Sequence, residues 1–202
     1  MSDSPTLLDL LPTERRLALA YAPARARGLT LGLLALDARL AETVRAVREP
    51  VLGQLRLAWW RDALTAAEGA VVSGEPVLAA LAGWGVRRAA LTALVDGWEE
   101  MLGEAPLPAS AFEACAEGRA RGWAALADRL GHDPGEAARA ARGWALADLA
   151  PRLGHPQERS AALALATAQD WRRPGLPREL RALAMLHNLA HRTKDERPLL
   201  EG

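Results

Sequence analysis

His187 and His191 stand four residues apart on a predicted helix, with Asp195 a further turn on. Imidazoles at that spacing share a helix face and can hold zinc. No further ligand cluster accompanies them in the sequence, and the helix dipole alone favours histidine near a C-terminus. Arg56 and Arg61 bracket the pair Trp59-Trp60. Guanidinium forks suit a diphosphate or an acidic lipid head; salt bridges to Asp62, Glu49 or another helix are the plainer reading. Adjacent tryptophans point to different faces, so one belongs in the core and the other to a cavity or a partner surface. Arg56, Trp60 and Arg61 are therefore the candidate substrate-binding residues. Cys115 is the only cysteine and sits in an Ala-rich segment, which reads as core. His132 and His155 each follow a glycine and read as exposed turn residues.

These side chains ride on helices. Ala and Leu dominate the 202 residues, Ile is absent, and Phe and Tyr occur once each. Helix formers are plentiful and strand formers scarce, so an all-α domain follows. Thr13 reads as the cap of a short helix to Ala20, and Pro23 as the first turn of a long one reaching Val47. Pro50 opens a helix with Leu52, Leu55, Trp59 and Ala63 on one stripe, ending near Gly69. Further helices are expected over 87–102, 109–130, 133–153, 157–169 and 178–192. Asp133, Pro134 and Glu136 form a capping-box pattern at the start of the helix over 133–153. Short connections predict antiparallel neighbours, and residues 1–202 read as one domain.

Net charge is zero, from 25 basic and 25 acidic residues, and no basic face stands out. Nucleic-acid binding is disfavoured. The first eleven residues carry Asp3 and Asp9 and do not resemble a signal peptide, and no apolar run is long enough to span a membrane. A cytoplasmic location follows as the default, with peripheral membrane contact left open.

The stretch 13–64 carries a more specific signal. It contains Ala35-Leu36-Asp37-Ala38-Arg39-Leu40-Ala41 and the run EPVLGQLRLAWWRDAL over 49–64. Both resemble the squalene/phytoene synthase family, and in particular a short bacterial branch similar to that family's complex I assembly factor. Weaker likenesses follow at 94–99, at 112–122 and at 143–146. The resemblance implies a helical bundle of isoprenoid-synthase type, shortened toward the C-terminus. It also implies two acidic motifs that hold Mg²⁺ between facing helices while two prenyl diphosphates are joined head to head.

Those motifs are incomplete. The first is DxxxD, whose i, i+4 carboxylates lie about 40° apart on one helix face. Here Asp37 is followed at i+4 by Ala41, and Glu42 sits about 140° round the helix. Around the second motif Asp148 is left, with no Tyr-Leu-Pro after it. Asp37, Asp96 and Asp148 are thus candidate vestiges of a catalytic site, and Asp37 is equally suited to an ordinary surface pair with Arg39 or a neighbouring helix. The resemblance then implies a non-catalytic protein with no cofactor: a scaffold or assembly factor with a protein partner, or a binder of a prenyl diphosphate or lipid. The alternative is an active Mg²⁺-dependent prenyltransferase acting on farnesyl or geranylgeranyl diphosphate. It would need Asp37, Asp96 and Asp148, helped by Glu99 or Glu117, to converge.

Overall fold

Prolines and glycines set the helix boundaries. The computed structural model describes residues 7–47, 49–67 and 74–193, so Asp3, Gly69 and Asp195 lie outside the described residues. The helices are α1 (Thr13–Ala20), α2 (Ala24–Ala46), α3 (Pro50–Thr65), α4 (Pro76–Ala80), α5 (Thr92–Glu99), α6 (Ala109–Arg129), α7 (Pro134–Leu149), α8 (Pro156–Thr167) and α9 (Arg181–Thr193). Three 3₁₀ segments, Ala82–Leu91, Ala150–Arg152 and Arg178–Leu180, join them, and no strand occurs among the described residues. None of the described helices is long and apolar enough to cross a membrane.

Several local expectations change. Thr13 does not cap α1: Pro12 is the cap, and its carbonyl accepts from the Arg15 and Arg16 amides. Pro23 likewise caps α2 from outside the helix instead of entering its first turn. The helix expected over 87–102 is split, because Gly85 takes φ 54° and residues up to Leu91 wind as a 3₁₀ stretch. Trp84 anchors that stretch by donating its indole N–H to the Leu29 carbonyl, 3.2 Å away. Asp133 does cap α7 through the Gly135 amide, but Glu136 does not close a capping box. Its carboxylate is taken by Arg139, Arg172 and the Gly175 amide instead.

The α3 stripe is inverted relative to expectation. Gly53, Leu57, Trp60 and Leu64 are buried, whereas Leu52, Leu55 and Trp59 are exposed. Both sets have helical spacing, and only packing against α5 and the 3₁₀ stretch selects between them.

At the centre, α6 and α7 form a hairpin, with α5 against α6, and α8 and α9 against α7. Small residues bring α5 and α6 together: a Cβ at Gly118 would lie 2.3 Å from the Ala93 carbonyl oxygen, and one at Gly97 2.9 Å from that of Ala114. One contiguous apolar core draws residues from every helix, including Leu33, Leu36, Phe112, Trp123 and Leu183. α1 and α2 cross over this core, which brings the first turn of α1 and the middle of α2 to the end of α7.

Candidate functional site: a buried carboxylate–guanidinium centre

Each of the four central side chains occupies an inward position of its helix. Asp37 lies in the buried run Leu33–Asp37 of α2. Arg15 shares the buried face of α1 with Ala18 and Leu19. Arg119 continues the α6 stripe Cys115, Gly122 and Leu126. Asp148 ends α7, one turn before Arg152.

Arg15 spans the two acids, its Nη1 donating to Asp37 Oδ2 and its Nη2 to Asp148 Oδ2, both at 2.8 Å. Arg119 Nη2 does the same from the other side, 2.8 Å from Asp148 Oδ2 and 3.1 Å from Asp37 Oδ2. The remaining oxygens are also taken. Asp37 Oδ1 accepts from the Trp98 indole at 2.8 Å, and Asp148 Oδ1 from Arg152 at 2.6 Å. Arg152 also reaches Glu14 at 2.6 Å. Three guanidiniums thus meet three carboxylates, and the group is electrically neutral.

Neither Arg15 Nε nor Arg119 Nε has a hydrogen-bond partner among the described residues. The face of Trp144 compensates, since the guanidinium carbons of Arg119 and Arg15 stand 4.3 and 5.4 Å from its ring centre. Burial alone would raise the Asp148 carboxyl, but the Arg15, Arg119 and Arg152 charges outweigh it and hold the group well below the usual carboxylate range. Burial likewise opposes the charge on Arg119, and Asp37 and Asp148 more than restore it.

A cavity of about 260 Å³ opens beside this centre. Arg15, Arg45, Asp148, Arg152 and Glu158 bring charge to its lining, and Ala38, Ala41, Val44, Met101, Leu107 and Leu149 form its apolar part. Ala41, four residues after Asp37, is a wall residue. Arg45 lines the cavity and has no ion-pair partner among the described residues, while Glu158 accepts from the Leu107 amide at 2.7 Å.

Asp37 and Asp148 therefore come together, and Asp96 does not join them. Asp96 is exposed on α5, where Arg61 forks between it and Glu99. Arg61 thus makes the salt bridge to another helix that is the plainer reading of its charge. Arg56 and Trp60 line a separate, open depression between α2 and α3 that contains none of the central four. Trp60 is core, and Trp59, packed edge-on against it at 5.0 Å, is the half-exposed member of the pair. The surface pair between Asp37 and Arg39 is not formed, since Arg39 binds Glu42. Glu117 is likewise engaged away from the centre, by Arg121 and Arg142.

The histidines and cysteine have structural surroundings. His187 is buried against the Ala140 carbonyl at 3.1 Å, and burial lowers its pKa. His191 stacks on Trp171. His132 is half-buried and faces Glu179, and His155 caps α8, so neither is a free turn residue. Burial pushes the Cys115 thiol up to about 12. No group of three or more His, Cys, Asp or Glu side chains able to hold a metal occurs among the described residues.

Sequence reasoning missed Arg15, Arg119, Arg152 and Trp98. For Arg119 a signal existed: a charged residue on an otherwise apolar helical stripe needs a buried counter-charge. No family model, curated protein or solved structure matches the chain.

Proposed function

We propose that this chain is a non-catalytic protein built on the plan of the squalene/phytoene synthases, an isoprenoid-synthase-like helical bundle whose cavity holds one apolar, prenyl-like tail without turning it over. One observation carries the reading: every oxygen of Asp37 and Asp148 is already bound by a guanidinium or an indole N–H. Mg²⁺ requires near-octahedral oxygen ligands. To reach these carboxylates it would have to displace Arg15 and Arg119, which stay charged and repel it at close range. The residues present do not fit the metal, and diphosphate departure then lacks its electrostatic partner.

The apolar part of the lining supports retention of a hydrocarbon chain, and Arg45 supplies a cation for a single anionic head. A scaffold role with a protein partner, of the kind served by a complex I assembly factor, is compatible with the same chemistry and rests on family analogy. A second reading, the Mg²⁺-dependent prenyltransferase, draws support from the convergence of Asp37 and Asp148 beside the cavity.

The deciding experiment incubates purified protein with farnesyl or geranylgeranyl diphosphate, with and without Mg²⁺. Product formation and the shift in melting temperature are both read. The expected result is no product, together with a stabilising shift from farnesol or farnesyl diphosphate that does not depend on Mg²⁺. Turnover that disappears in Asp37→Ala would establish the enzyme instead; no shift with any isoprenoid would leave the scaffold role alone.

A further inference from the structure

Glu158 is the anomalous member of the cavity lining. It is 6% exposed, and no cationic side chain pairs with it among the described residues. A carboxylate is almost never buried without such a partner. Two features hold it in place. It sits in the first turn of α8, where the positive end of the helix favours a carboxylate. The Leu107 amide, in the loop between α5 and α6, donates to its Oε1 at 2.7 Å. Its Oε2 has no hydrogen-bond partner among the described residues. One oxygen is therefore fixed and the other left over, on a residue that lines a cavity with apolar walls beside it.

We infer that Glu158 is the head-group acceptor of this cavity and that the ligand it selects is an isoprenoid alcohol, a hydrocarbon tail ending in a hydroxyl. The inference rests on the tail-binding reading proposed above and names its ligand class. The charges of the lining decide between heads. Arg15, Asp148 and Arg152 are spent on one another and on Asp37 and Glu14. Arg45 and Glu158 remain, one of each sign. Arg45 is exposed, so water screens it, whereas Glu158 is buried and acts at closer to full strength. A multiply charged diphosphate would meet that carboxylate with a single screened guanidinium to offset it. An ammonium head would enter a lining that holds three guanidiniums. A hydroxyl is neutral and donates one hydrogen bond, and an ionised carboxylate can only accept. A tail without a donor leaves the buried oxygen unpaired, which weakens its binding.

Calorimetric titration of the full chain with farnesol, farnesyl methyl ether and farnesyl diphosphate, in the absence of Mg²⁺, tests this. Farnesol is expected to bind at least about tenfold more tightly than the ether, which lacks the donor, and than the diphosphate. Glu158→Gln keeps the length of the side chain and an oxygen for the Leu107 amide. It is expected to bring farnesol and the ether to within about threefold of each other and to strengthen diphosphate binding. The wild-type comparison stands without the variant. Equal affinity for farnesol and the ether in the wild type overturns the inference and leaves retention of a prenyl tail standing, as does tightest binding of the diphosphate. Discrimination that persists in folded Glu158→Gln assigns the hydroxyl to another group and overturns it too. Binding of none of the three removes the tail-binding reading and this inference with it.

Discussion

Two arginine–carboxylate groupings of similar composition occupy different environments. In the centre, Arg15 and Arg119 clamp Asp37 and Asp148 with side chains 1–6% exposed. On α3 and α5, Arg61 forks between Asp96 and Glu99 with side chains 30–61% exposed. Water screens the outer group, so its loss costs little. The inner group has exchanged water for its own partners, and each member depends on the others to offset desolvation. Identical residue types thus mark a structural keystone in one place and a solvated surface pair in the other.

The comparison is broken most severely by Arg119→Met. It leaves Asp37 and Asp148 sharing one guanidinium fewer in a dry site, and about 3–5 kcal/mol of unfolding free energy should be lost in a denaturant titration. Trp98→Phe removes a neutral donor from Asp37 Oδ1 while keeping the packing, for an expected loss of about 1.5–3 kcal/mol. A loss as small as that of a surface pair would show that water enters the centre.

The acid limb of stability sharpens the contrast. Asp148 is held below its ordinary value of 3.8, so the folded chain binds its proton less readily than the unfolded chain does. Its contribution is fully present above that pH and is lost progressively as pH falls below it towards the lower folded-state value. Asp148→Asn should lower stability at neutral pH yet flatten the decline below about pH 4. An acid limb as steep as the wild type's would assign the dependence to other carboxylates. The smallest effect belongs to the outer pair. Arg61→Ala should cost under about 1 kcal/mol, and that cost should shrink with added salt. A loss approaching that of Arg119→Met would erase the distinction.

Much of the fold could be read before any coordinates. The Ala- and Leu-rich composition, the scarcity of β-branched and aromatic residues and the placement of Pro50, Pro134 and Gly131 define most of the helices. The candidate site was half legible. Asp37 and Asp148 were singled out because of a pattern, but the pattern pointed to missing metal ligands and gave no hint that Arg15 or Arg119 would stand between them. Those arginines are 104 positions apart in the chain and belong to different helices. Periodicity reports which face of a helix is apolar, and says nothing about which distant charge arrives there.

Local sequence determined the helices, because propensity, capping and turn chemistry act within a few residues. It also determined that the residue one helical turn after Asp37 is Ala41, which has no carboxylate. Only the tertiary structure decided that Asp37 and Asp148 share two arginines, that Asp96 stays outside, and that Trp60 rather than Trp59 faces the core. Burial, counter-charge and desolvation depend on contacts between helices far apart in the chain, and those arise once the core has closed around them.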